Sequence, residues 1–125
     1  MRTSVSKLLA GLLLLLLGSC YYDELIEEEV PDIPDTEEIS FATDIEPLFT
    51  ACTACHDGSV ANPDLRAGNA YDALVPGYVV PGDAEGSEFY QKLPGVGHPF
   101  DPGVVLTSSE IALIKAWIDR GAEDN

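Results

Sequence analysis

Two cysteines three positions apart, followed at once by a histidine, constrain this 125-residue chain more than any other feature. Cys52-Thr53-Ala54-Cys55-His56 reads C-x-x-C-H, the attachment pattern of a c-type haem. The spacing has a chemical reason. Two thiols this far apart can each form a thioether to one of the two vinyl groups of a haem, and the adjacent imidazole then lies under the ring, aimed at the iron. Cys52, Cys55 and His56 are therefore the candidate cofactor-binding residues, for one covalent haem c, with His56 as an iron ligand. A bare C-x-x-C would equally suit a dithiol redox pair or half a zinc site. The plainest alternative is a structural Cys52–Cys55 disulfide beside a surface histidine.

The N-terminus indicates a destination. Arg2 and Lys7 form a short positive region, and Leu8 to Leu17 is leucine broken only by Ala10 and Gly11. That run falls short of the roughly 20 apolar residues a spanning helix needs, but it fits the core of an export signal over residues 1–19. Leu17-Gly18-Ser19-Cys20 resembles a bacterial lipobox, in which cleavage leaves the cysteine as a lipid-modified first residue. The alternative is an ordinary secretory signal with an incidental cysteine. The chain has three cysteines, and an odd thiol is unusual in an oxidising compartment. Lipidation of Cys20 and haem on the other two would account for all three.

Cleavage before Cys20 leaves four cationic side chains against 22 acidic ones, a formal charge of −18. Such a surface repels nucleic acid and anionic membrane faces and attracts cationic patches on proteins. It also keeps a small protein soluble with no docking role at all. Nine of the acidic residues fall between Tyr21 and Ile39, with Pro31 and Pro34 and little hydrophobic periodicity. Residues 20–39 are therefore expected to form an extended, disordered tether. The acidic cluster after Cys20 resembles signals that carry some bacterial lipoproteins to the outer cell surface. The expected location is the cell envelope, lipid-anchored to a bacterial membrane (the outer membrane in particular), with the domain outside the cytoplasm.

A globular domain is expected over 40–125. Thr43 and Glu46 fit a capping box, and Ile45, Leu48, Phe49 and Cys52 fall on one helical face that leads to the C-x-x-C-H. Pro47 is tolerable only in or beside the first turn. Turn pairs such as Asn62-Pro63, Pro76-Gly77 and Pro81-Gly82 leave room for short helices near Ala70–Leu74 and Gly86–Leu93. The clearest helix follows Thr107-Ser108-Ser109-Glu110, a second capping box, with Ile111, Ile114, Trp117 and Ile118 as its apolar stripe and Gly121 at its end. The fold class expected is all-α, with three to four short helices and long loops. A domain of 86 residues so built buries little surface of its own. A haem would supply a large apolar plate for Phe49, Tyr71, Tyr78, Phe89, Tyr90, Phe100 and Trp117 to pack around.

These features together, with Val79-Val80-Pro81-Gly82-Asp83, Ser87 beyond it, and the last helix Glu110-Ile111-Ala112-Leu113-Ile114-Lys115-Ala116-Trp117-Ile118-Asp119-Arg120-Gly121-Ala122, resemble the planctomycete-type, class I-like cytochrome c domain. The resemblance spans about Phe41 to Ala122. It implies a small cytochrome c-like fold with the first and last helices crossing near Phe49 and Trp117, covalent haem c, and electron transfer. The family also presents a Met-Pro before the last helix, whose sulfur is the second axial ligand. This chain has no methionine but Met1, and Gly97-His98-Pro99 stands at the corresponding place. His98, the only histidine besides His56, is thus the candidate second iron ligand, since His can replace Met there. Lys92, Tyr90 or an open sixth site are the alternatives.

Two function classes follow. One is a membrane-tethered monohaem electron carrier that exchanges electrons with redox protein partners and is not an enzyme. The other is a haem enzyme or gas sensor with an open distal site, for which no acid–base constellation is evident.

Overall fold

A computed structural model describes residues 31–93, 95 and 106–125. The export signal, Cys20, His98 and Phe100 lie outside the described residues. Among those described, helices are the only regular elements, and β structure is limited to an isolated bridge between Val80 and Asp83.

The first helical run, α1, spans 41–54 and is irregular along its whole length. It opens as a π turn over Phe41–Ile45, in which the amide of Glu46 donates to the carbonyl of Phe41. It continues as 3₁₀ turns over Glu46–Phe49 and Cys52–Ala54. Pro47 supplies the reason. With no amide proton it cannot donate to the carbonyl four residues back, so a regular α ladder cannot pass through it. The expected cap at Thr43 is corrected here to Ser40. Ser40 Oγ accepts from the Thr43 amide at 3.4 Å, while the Ser40 amide donates to Asp44 Oδ2 at 2.8 Å. Glu46 is thereby released from capping, and its Oε1 instead accepts the amide of Gly68 at 2.7 Å.

Two short helices follow, α2 over Ala70–Leu74 and α3 over Glu88–Gln91. Between them Ser87, fully buried, staples the 79–84 turn: its hydroxyl donates to the Asp83 carbonyl at 2.7 Å and accepts the Val80 amide at 2.9 Å. The last helix, α4, covers Ser108–Asp119 and carries the complete Thr107/Glu110 capping box. It ends in a Schellman arrangement. The Ala122 amide bonds back to the Trp117 carbonyl and the Gly121 amide to that of Ile118, with Gly121 at φ +113° where a Cβ would be strained.

α4 packs on the start of α1. The meeting point is Phe41, whose ring lies 5.1 Å from Trp117 and 5.3 Å from Tyr71. Phe49 sits on the other side of Phe41, at 6.4 Å, and meets Phe89 edge-on at 5.5 Å. The aromatic contact to Trp117 is therefore eight residues, about two turns, earlier in α1 than Phe49. Ile45, Leu74, Val79, Ile114 and Ile118 complete the buried core.

The tether also differs from expectation. From Ile33 to Ile39 it is tied to the domain: Ile33 packs on the core, Ile39 is buried, and Arg120 donates to the carbonyls of Ile33, Pro34 and Glu37. Composition made this stretch look solvated, but what holds it is backbone carbonyl and two isoleucines, neither of which acidic side chains reveal.

Candidate cofactor-attachment site

The end of α1 delivers the three motif residues together. The amides of Cys55 and His56 both bond to the Cys52 carbonyl, at 3.2 and 2.9 Å, so the last turn holds the thiols and imidazole as one unit. Cys52 is half-buried against the core, and Cys55 and His56 are also partly covered. Gly58, at φ +75°, then turns the chain back.

The returning loop closes over His56. The His56 carbonyl accepts the Leu65 amide at 2.9 Å, and the Cys55 carbonyl accepts the Ala61 amide at 3.0 Å. His56 Nδ1 lies 3.2 Å from the carbonyl oxygen of Pro63. A carbonyl can only accept, so Nδ1 carries the proton, and in the neutral ring Nε2 then carries the lone pair. This is the usual state of a metal-ligating histidine, oriented by a hydrogen bond from its other nitrogen.

Two aspartates shape that loop. Asp57 Oδ1 accepts the amides of Val60 and Ser59, each at 2.9 Å, and these bonds hold its carboxyl below the ordinary range. Asp64 receives a forked pair from Arg66, Nε at 2.9 Å and Nη2 at 2.7 Å, with Asn69 Nδ2 at 3.0 Å. The Arg66 bond holds the Asp64 carboxyl well below the carboxylate range. Pro63 is the residue next to this clasp, and buried Leu65 anchors its far side. The Glu46–Gly68 bond ties the end of the loop back to α1.

The arrangement bears on each reading of the motif. Both thiols are free, with no bond between Cys52 and Cys55. Burial pushes the Cys52 thiol up from its ordinary value, opposite to the depressed thiol that a dithiol oxidoreductase uses for attack. Among the described residues no three His, Cys, Asp or Glu side chains converge as a metal-ligating group, so the zinc reading finds no further ligands there. Two free thiols one turn apart and an imidazole with its Nδ1 proton committed to a carbonyl fit a covalently held haem.

Of the alternatives for the second ligand, Tyr90 lines a groove with Ile33, Lys115 and Asp119, and Lys92 is exposed. In the sequence Asn62-Pro63 reads only as a turn, and neither the Pro63 carbonyl acceptor nor the Asp64–Arg66–Asn69 clasp is marked there. No side-chain pattern marks a backbone acceptor. The one available signal was the position of Pro63, seven residues after His56 within a loop that has to return to the core at Leu65.

Comparison with models of known protein families, with curated proteins and with solved structures finds no match to this chain.

Proposed function

We propose that this chain is a membrane-tethered monohaem c-type cytochrome that carries electrons between redox protein partners. Cys52 and Cys55 hold one haem c through thioethers, His56 and His98 are the axial ligands, and Cys20 carries the lipid. The reading includes a small cytochrome c-like fold, with α1, the short central helices and α4 packed about the cofactor. The observation that carries it is the hydrogen bond from His56 Nδ1 to the Pro63 carbonyl, at 3.2 Å. It fixes the tautomer that directs Nε2 as a ligand, in the residue that the C-x-x-C-H pattern assigns to the iron.

Haem c, when bound, supplies the one-electron ferric/ferrous couple. The chain's own residues do the rest. The last turn of α1 sets the thiol spacing, and the clasped 57–68 loop holds the imidazole in one orientation. Leu48, like Cys52, is only partly buried against the core and keeps apolar surface, whereas Phe49, 1% exposed, is already taken up by the core. The net charge of −18 left after removal of the signal favours partners with cationic patches.

The test is the purified protein's visible spectrum and mass. A mass one haem above the polypeptide, with colour that survives denaturation and acid–acetone extraction, is expected, together with sharp low-spin reduced bands. Colour that passes into the organic phase, or no Soret band at all, overturns the proposal; a high-spin spectrum moves it to the open-site class.

A further inference from the structure

Arg120 is spent on the tether. Its guanidinium donates to three backbone carbonyls of one short turn, Glu37 at 2.7 Å, Ile33 at 2.9 Å and Pro34 at 3.0 Å, with the Asp35 carboxylate at 3.8 Å. The turn itself is closed by the Glu37 amide on the Pro34 carbonyl at 2.9 Å. Ile33 packs on the core at one end and Ile39 is buried at the other. Only Arg66, Lys92, Lys115 and Arg120 remain as cations after Cys20, so committing one of the four to main-chain oxygens of an acidic segment is costly use of scarce positive charge. A planar fork is suited to several carbonyls at once, and a lysine ammonium is not.

We propose that Arg120 is a latch that moves the tether's exit from the domain back to Ile33, and so holds the domain on a short leash at the membrane that carries its lipid. The inference rests on the lipid anchor at Cys20 in the proposed function. Thirteen residues separate Cys20 from Ile33, a reach of at most about 45 Å when fully extended. Unlatched at Ser40, twenty residues would reach about 70 Å. The leash confines redox partners to proteins held at the same membrane surface and leaves those across an aqueous gap beyond reach.

The test uses the full-length lipidated protein on vesicles of phosphatidylethanolamine and phosphatidylglycerol at low salt, where repulsion between the anionic bilayer and an acidic protein is least screened. A Glu-specific endoprotease should release the wild-type domain by cutting before the latch, so that fragments begin no later than Val30. Cutting after Glu37 and Glu38 should become about tenfold faster or more in Arg120→Ala, because cleavage follows the population of the opened segment. Arg120→Lys should resemble Arg120→Ala, and Ile33→Asp should open the same sites with Arg120 intact. Circular dichroism confirms that each variant is folded. On a supported bilayer, neutron reflectometry should find the outer edge of the protein layer further from the lipid in Arg120→Ala, by up to about 25 Å. Wild-type cleavage after Glu37 as fast as in the variants, or an unchanged layer edge, overturns the latch. A protein that never joins the bilayer, with no acyl mass on its N-terminal peptide, overturns the leash through its anchor. The haem spectrum reports on the electron-carrier reading separately from both.

Discussion

His56 Nδ1 and the Pro63 carbonyl oxygen lie 3.2 Å apart, across a loop that leaves the C-x-x-C-H turn and comes back to it. The contact joins the motif's imidazole to a backbone atom with no chemistry of its own except to accept a hydrogen bond. Its placement is fixed by Gly58 on one side and by the Asp64–Arg66 fork and buried Leu65 on the other.

Gly58→Ala tests that relationship. At φ +75° a Cβ is strained, and it would stand 3.2 Å from Asp64 Cβ and Oδ2, the side chain that clasps the loop. The substitution should cost about 1–2 kcal/mol and shift Pro63 away from His56. A hydrogen bond at Nδ1 raises the imidazole's donor strength, so weakening it favours ferrous iron. A redox titration should show a higher potential than wild type, with the low-spin spectrum kept.

Phe49→Ala should be the most damaging single core truncation tested by chemical denaturation. The ring is 1% exposed and bridges Phe41 and Phe89. Large-to-small changes of this kind cost about 3–5 kcal/mol, much of the stability of so small a domain. Val60→Ala, at a side chain 72% exposed, should lie within about 0.5 kcal/mol of wild type.

What could be read from the chain and what could not divide along physical lines. α4 was legible because its cap, its stripe and its terminal glycine are all local: Thr107, Glu110, Ile114, Trp117 and Gly121 each act within a turn or two. α2 and α3 were found from the turn residues between them. The start of α1 is not legible at Thr43, because a Thr-x-x-Glu match is identical whether or not Glu46 is taken by Gly68, 22 residues on. The C-x-x-C-H residues, which the end of α1 brings together, are legible from spacing alone, whereas the Pro63 carbonyl is not, since backbone acceptors carry no letter. The ordered strap at Ile33–Ile39 was hidden for a related reason. Its partner, Arg120, lies more than 80 residues away and takes three of its carbonyls at 2.7–3.0 Å, with one carboxylate, Asp35, further off at 3.8 Å.

Asp119 gives the domain a predictable response to acid. Burial pushes its carboxyl up, but hydrogen bonds from Lys115 Nζ at 2.6 Å and from the Ala84 amide at 2.9 Å outweigh this, and the net direction is down. A carboxyl depressed in the folded state stabilises fully above the unfolded value, about pH 4, and that contribution is lost as pH falls through the lower folded value. Asp119→Asn keeps an acceptor for Ala84 and loses the charge. Its melting temperature should be lower than wild type at pH 7, and the gap should close as pH drops below about 4. The pair is partly exposed, so the gap should correspond to no more than about 1 kcal/mol.

Cys20→Ala should abolish lipid modification and membrane retention. Wild-type protein should partition into detergent, which for stable anchoring requires more than one acyl chain. Equal partitioning of the Cys20→Ala protein after removal of its signal would refute the anchor.

His98 bears the sharpest prediction. Imidazole donates more strongly to ferric iron than a thioether does, and Met ligation raises the potential of c-type haems. A His56/His98 pair should therefore give a lower potential than His/Met ligation in the same protein, without the long-wavelength charge-transfer band of an iron–sulfur(Met) bond. The acidic surface pushes the potential the same way, although salt screens it, so a low value by itself does not identify the ligand. Substitution does. His98→Ala should turn the iron from low-spin to high-spin and let it take exogenous imidazole, and His98→Met should keep it low-spin at a raised potential. A low-spin spectrum unchanged in His98→Ala would remove His98 as the ligand and make Lys92, which is exposed, the next residue to substitute, ahead of Tyr90, which is partly buried against the core.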